Sequence, residues 1–572
     1  LTAPVGVIEG SSPLTVRFAW SGATRGYEAF FVVYPALSSR SELAATLRSG
    51  PSDAPILITQ PVALARLATG AGRFSLTDGV FGALGCDASC DGVYPVELRI
   101  ANDQSGVTRA QTLFGLPYLA TTGVSVSPRL GFAPVVRVIP ASSGAAMRRS
   151  LRGLSRVQTP YSIAFEGSEA VSASSLRTLV GLVGGSTLHE RLLTPYVPAS
   201  AGCAAATPIL GLSQRLALGH DVAGGALDNV LLSERPSRGE LATLVATHPH
   251  AVVLSSRVLA QVAPVLSLSD PVRTSGSSPE FLGASPALSG ELDASASPAG
   301  MQRLIADLAQ FYFQAPSQSG RVAVAEVTVT RSASVASLSQ TLSMLARLPF
   351  LRLQTISEAA SRPTLLIPDS GLALAGGRGG CPPLGGELRR GLARLKGLLA
   401  ADAGSRAPLR NLVALAEVAA GSRSRASEAE LARATGQLAL ALNLVGSRTI
   451  TLTAHSASIP LTLSSRLPFP ARVRLEVVAP EFRFPRGGSR LVQLDRGTVT
   501  VQLPVRVAVL GTFPATVEVL SPSGTLLRAV RVTVHSTGFS SVGIALSVAS
   551  ILVLALWWAR TIRARRRRPR QS

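Results

Sequence analysis

Aromatic residues are scarce, at 5% of 572. Packed cores must therefore be built from Ala, Leu and Val, which the 46% apolar content supplies. Lysine is all but missing: Lys396 is the single one, and arginine carries the remainder of a formal charge of +22. Catalytic signatures are missing too. No Gly-x-Ser-x-Gly turn presents a serine nucleophile, and Gly167-Ser-Glu-Ala170 does not fit that spacing. No His-x3-His and no Asp-Asp pair at a strand end offers the metal set of a polysaccharide deacetylase. The glycine run 376–380 lacks the Lys-Ser/Thr of a phosphate loop. No motif implies a cofactor. A recognition motif interleaving aromatic and basic residues is also absent, which argues against nucleic acid as a partner.

Cysteine is limited to Cys86, Cys90, Cys203 and Cys381. Cys86-Asp-Ala-Ser-Cys90 sits in a Gly/Asp-rich loop, and in an oxidising compartment that spacing reads as a local disulfide. Cys203 and Cys381 are then left to bridge distant segments. Spacing alone does not fix their separation.

What is present is concentrated near the C-terminus. Phe539–Ala559 is 21 residues without a charge. As a helix it spans roughly 31 Å, about a bilayer's hydrocarbon thickness. Trp557 and Trp558 close it at the depth where amphipathic rings favour the interface. Arginines follow without an intervening acid, among them Arg560, Arg563 and Arg565. Such a tail is retained on the cytoplasmic side, which predicts an extracytoplasmic ectodomain in the plasma membrane. That topology needs an export signal, and none precedes the first domain, so a cleaved or omitted signal peptide is expected. Gly543, Ser547 and Ser550 form a small-residue stripe on which another helix could pack.

The ectodomain reads as four successive regions. Residues 1–122 alternate with period two, as in Leu14–Trp20 and Tyr94–Ile100, and predict an immunoglobulin-like β-sandwich. A short helical insert falls at Ser41–Leu47. From 123 to 366 strands and helices take turns. Pro134–Pro140, Tyr161–Phe165, Leu192–Val197, Asn229–Leu232, Ala251–Leu254, Val322–Val327 and Leu351–Thr355 read as strands, and repeated βα units over this length predict a TIM-barrel-like domain. Residues 367–447 read as a linker and helices, with Ser427 and Glu430 placed as a capping box. Residues 448–536 alternate again and predict a second, membrane-proximal immunoglobulin-like sandwich. A transmembrane helix over 537–559 and a cytoplasmic tail over 560–572 complete the chain.

Several stretches carry a resemblance. They are Leu37–Thr46, Gly92–Leu98, Thr194–Pro198, Gln302–Ala309, Leu348–Leu353 and Gly511–Gly524 leading into the span. With the domain order, they resemble an uncharacterised actinobacterial family of single-pass membrane proteins. Its members are typically encoded beside the lipid II flippase. The resemblance implies a cell-envelope setting. It supplies no activity that maps onto residues.

If the barrel were catalytic, its site would lie where strands end. Glycoside hydrolysis needs two facing carboxylates, and Glu166 with Glu234 is the best pair available. His248-Pro-His250 is the one close histidine pair that a metal could use, although Pro249 reads better as a helix stop. The favoured expectation is a non-catalytic binding or accessory protein in cell-wall assembly. Its partners would be the membrane and either a polytopic protein such as the lipid II flippase or an envelope glycan. The alternative is a carbohydrate-active enzyme, hydrolase or deacetylase-like.

Overall fold

The computed structural model describes residues 1–83, 90–120, 126, 128–140, 142–167, 173–183, 188–195, 212–223, 228–232, 241, 244–262, 270–274, 279–361, 365–367, 441–445, 449–454, 456–466, 471–494, 497–509, 511–537 and 541–566. Glu234, Cys86, Cys203, Cys381, Phe539 and residues 368–440 of the expected linker and helical region lie outside them. The chain divides into two compact units, Leu1–Pro382 and Pro383–Ser572. It is mostly β, with several sheets, one barrel-like parallel sheet and one apolar C-terminal helix.

The first unit opens with two sheets facing across one core. The larger runs in the order Ile8–Glu9, Thr108–Leu119, Gly92–Asn102, Tyr27–Val33, Leu57–Ile58. The smaller contains Leu14–Ala19, Arg73–Asp78 and Ala68–Gly70. Period-two alternation turns Leu14, Val16 and Phe18 inward, where Phe18 stacks on Phe74 with centroids 5.5 Å apart. The helical insert is present as Arg40–Ser49, because Ser39 accepts a hydrogen bond from the Glu42 amide and Glu42 lies in the positive first turn.

A ring of parallel strands follows, numbered here by chain order: β1 Leu130–Val138, β2 Tyr161–Phe165, β3 His189–Leu192, β4 Asn229–Leu231, β5 Ala251–Ser255, β6 Glu280–Ala284, β7 Val322–Val329 and β8 Leu351–Leu353. β1 pairs with β2, β2 with β3, β4 with β5, β5 with β6 and β6 with β7, and β7 returns to β1 along eight register pairs from Gly131↔Val322 to Val138↔Val329. The ring is nearly closed. Among the described residues the backbone bridge between β3 and β4 is made at Leu193, which donates to the Asn229 carbonyl and accepts from the Leu231 amide, both at 2.8 Å. One register pair, Ala284↔Val324, joins β6 to β7. β8 pairs with the first residues of β1 instead of standing between β7 and β1.

Side chains fill the ring in layers. Val135, Ala164, Leu192, Leu231, Val253, Leu282 and Val324 form an apolar middle. Below it, a short plug helix, Ile356–Ala360, closes the end where strands begin. Thr355 and Glu358 cap it reciprocally. Its first amides are bound from the ring: Ile356 donates to Ser162 Oγ at 2.9 Å and Ser357 to Glu190 Oε2 at 3.0 Å. Glu190 also accepts from Asn229 Nδ2 and from Ser357 Oγ. This explains why β3 starts at His189 and not at the expected Leu192. Its polar residues face partners, with the His189 ring stacked 4.0 Å from Tyr161, so the strand carries no apolar signature.

The helix Pro298–Phe313 joins sandwich and ring. Ser297 caps it and Pro298 starts it. It is buried nearly all round because the sandwich covers one side and the barrel layer the other. Contact is close enough that a Cβ on Gly115 would lie 2.7 Å from Ala306 Cβ. Two polar anchors cross this seam. Gln302, wholly buried, accepts from the amides of Val5 and Gly6 at 2.9 Å and donates to the carbonyls of Gly6 and Gly115 at 3.2 and 2.9 Å. Asp307 pairs twice with Arg40, whose guanidinium lies 5.1 Å over the Phe311 ring.

Glu291 sits behind this pair. Burial, and then the neighbouring Asp307 carboxylate, push its carboxyl up to about 8, against the weaker pull of Arg303. The folded state therefore holds a proton that the unfolded chain releases near pH 4.5. The stability this gives is present below that pH and is lost as pH rises through about 8. Glu291→Gln should leave stability unchanged near pH 5 and raise it by on the order of 2 kcal/mol at pH 8. Urea unfolding of both proteins at the two pH values measures it. An equal effect at both would refute the assignment.

In the second unit a four-stranded and a five-stranded sheet enclose the core of residues such as Leu463, Leu475, Leu494 and Val534. The sandwich begins earlier than its sequence suggests. Leu442–Val445, expected at a helix end, is a strand antiparallel to Ser456–Ser465. The chain leaves this sandwich at Ser536 and enters a helix, Ser541–Arg566. Within it, Ala545–Arg563 is long and apolar enough to cross a membrane and is wholly uncovered. Arg560, Arg563 and Arg565 continue the helix.

Candidate functional site

Alternation along β1 puts Ala133, Val135 and Arg137 on the lumen side, and register puts Glu326 level with Val135. β2 ends one residue before Glu166, on the same face as Ala164. Three charges thus converge above the apolar layer, at the end where the strands finish. Arg137 Nε and Nη2 donate to Glu166 Oε1 and Oε2, each at 2.9 Å, a two-pronged pair. Arg137 Nη1 lies 3.6 Å from Glu326 Oε2, and Thr194 Oγ1 stands 3.5 Å from Glu166 Oε1.

Burial differs across the trio. Glu166 has no exposed surface, whereas the Arg137 and Glu326 side chains keep 16% and 15%. Burial alone would lower Arg137, but the charge and hydrogen bonds of Glu166, and then Glu326, outweigh it and hold the guanidinium above its ordinary value. Burial raises the Glu326 carboxyl; Arg137 pulls it down less than burial lifts it, and Glu166 adds to the rise.

Glu166, a sequence candidate for acid–base work, spends both oxygens on Arg137. Its intended partner, Glu234, lies outside the described residues. His248 and His250 stand at the opposite end of the ring, exposed, just before β5. His248 takes a positive φ of 51° and ends the preceding turn, and the His250 amide donates to the Asp228 carbonyl at 2.7 Å, so backbone geometry accounts for this stretch. Among the described residues no group of three His, Cys, Asp or Glu could hold a metal. The expected disulfide is corrected as well. Cys90 is a free thiol, packed as a small apolar group against the sandwich core, with its carbonyl accepting from Tyr94 Oη at 2.6 Å. Trp557 and Trp558 are exposed, as are Ser547 and Ser550, and Gly543 lies on the same helix.

Sequence reasoning passed over Arg137 and Glu326. Their signal was a single charge inside an apolar strand run, in Pro134–Pro140 and in Val322–Val329.

Comparison with known proteins adds little chemistry. A family of unknown function, DUF6049, matches residues 391–571. No curated protein sequence matches the chain. Among solved structures, WR4, a C. elegans MSP family member, is similar over 17% of this chain and 97% of its own, at 12% identity and a TM-score of 0.14. Bacteroides uniformis beta-glucuronidase is similar over 93% of this chain and 60% of its own, at 10% identity and a TM-score of 0.20. Beta-D-mannosidase from Dictyoglomus thermophilum follows, with 92% and 63% covered, 7% identity and a TM-score of 0.15. The chain spans less than two thirds of either glycosidase, and likeness at this level transfers no activity.

Proposed function

We propose that this chain is a single-pass cell-envelope protein whose ectodomain binds a partner and does not catalyse. The observation that carries this is Arg137. Its guanidinium fills the gap between the two carboxylates of the barrel mouth, where a scissile bond would have to lie. The uncovered helix with arginines at its end supports the anchor, with the sandwiches and barrel outside and the C-terminus in the cytoplasm. In each sandwich a short early strand runs parallel to the last one, Ile8–Glu9 beside Thr108–Leu119 and Thr449–Leu452 beside Leu526–Ser536. That pairing suits immunoglobulin-like modules, which serve as binding and spacing elements. The partner we favour is a polytopic protein of cell-wall assembly, such as the lipid II flippase, or an envelope glycan. Photo-crosslinking from the barrel mouth in intact membranes should recover one of these. Recovery of the chain alone would remove the basis of the reading.

One observation favours a second reading. Glu326, raised and partly open, beside a carboxylate held by arginine, has the unequal pair of environments that carbohydrate-active enzymes exploit. Glycan turnover by the purified chain that vanishes in Glu326→Gln would establish it. Absence of turnover by the folded wild type favours the binding role.

A further inference from the structure

The end of the second sandwich from which the membrane helix departs is built around arginine. Strand Leu526–Ser536 finishes there, and Gly511 and Leu452 are register partners of Ser536. Strand Gly497–Val507 finishes at the same end, opposite the start of Ser456–Ser465. The turn between Val478 and Ser489 also lies there, since Phe482 pairs with Val507 and the Val477 amide donates to the Gly488 carbonyl at 3.0 Å. These connections gather Arg483, Arg486, Arg490 and Arg506 on one pole, all exposed.

Two features of this group call for an anion. Arg483 and Arg506 are direct cross-strand partners, a like-charge pairing that costs stability unless negative charge lies between them. Among the described residues none of the four makes an ion pair. Glu481 is the one acid of their turn, and its Oε2 is buried and makes no hydrogen bond. Val509, 55% exposed, adds an apolar tip to the same pole. Only residues 538–540 separate Thr537 from the helix start at Ser541, so the pole stays within on the order of 14 Å of it. That limit is about twice the depth of one headgroup layer, which keeps the pole beside the membrane surface.

We infer that this pole docks on the phosphate headgroups of anionic phospholipids in the leaflet the ectodomain faces, and so sets how the membrane-proximal sandwich stands. The inference rests on the membrane anchor proposed above. Four guanidiniums supply the charge-assisted contacts, and the Val509 tip enters the boundary between headgroup and acyl chain.

The test uses the full chain in nanodiscs of phosphatidylcholine alone or with about one third phosphatidylglycerol. Amide exchange over residues 479–490 and 506–512 should slow by about tenfold in the anionic discs, and the difference should vanish at high salt. It should also vanish in the variant R483Q/R486Q/R490Q/R506Q, while exchange in strand Ser456–Ser465 reports that the variant is folded. Equal exchange in the two discs, with the chain retained in both, overturns the inference and leaves the anchor standing. Equal slowing by inorganic phosphate over neutral discs overturns it in favour of a free-anion site. Failure of the chain to remain in either disc overturns the anchor itself, and this inference with it.

Discussion

Arg137→Ala should destabilise the first unit by about 3–5 kcal/mol, because it strands a fully buried carboxylate. Glu166 has no exposed surface and both its oxygens are bound to the lost guanidinium. Thr194, at 3.5 Å, is too distant to replace two charged donors. Removing the acid as well changes the outcome. The double variant Arg137→Met/Glu166→Met exchanges a charged pair for apolar volume and should recover most of the loss, since desolvation of the pair offsets much of its attraction. Arg137→Met, Glu166→Met and the double form a cycle with the wild type that urea unfolding can close. A strongly negative coupling supports a structural pair. Additive losses would mean that Arg137 is held by something other than Glu166, and the account of the barrel mouth given above would fail.

Gln302→Leu should cost about 3–6 kcal/mol, and locally. The side chain satisfies two amides and two carbonyls of the sandwich, and leucine, in this wholly buried position, offers none of these bonds. The damage should appear first as faster amide exchange at Val5 and Gly6. Protection of β1 and β7 should hardly change, because the barrel makes none of these four bonds. If β1 and β7 lose protection together with Val5 and Gly6, the sandwich and the ring unfold as one cooperative body and the seam is not a separable joint.

How much of this was legible depended on the distance over which each contact acts. Period-two runs such as Leu14–Ala19 and the capped helix Arg40–Ser49 are local and could be read directly. Apolar strands of the ring could be read as well, from Tyr161–Phe165 to Val322–Val329. β6 escaped because Glu280–Ala284 is short, follows a Ser/Gly/Pro stretch and contains Gly283, where Ser256 Cβ stands 3.2 Å from any added Cβ. Its strand character comes from neighbours, not from its own residues. The barrel mouth was invisible for a related reason. Arg137 is 29 residues from Glu166 and much farther from Glu326, and only the ring's register brings them together. Local spacing also misled. Cys86 and Cys90 suggest a bridge by proximity in sequence, whereas Cys90 turns its thiol toward the sandwich core.

The two thin junctions of the ring have a mechanical consequence. β7, β1, β2 and β3 form one continuous ladder and β4, β5 and β6 another, joined by Leu193 and the Glu190–Asn229 bond on one side, by Ala284↔Val324 on the other, and by the plug helix, which bonds to both. The cylinder is thus two half-shells, hinged like a locket and latched by a few hydrogen bonds. Parting the halves would have to break those latches and the plug helix's bonds, and would leave both ladders whole.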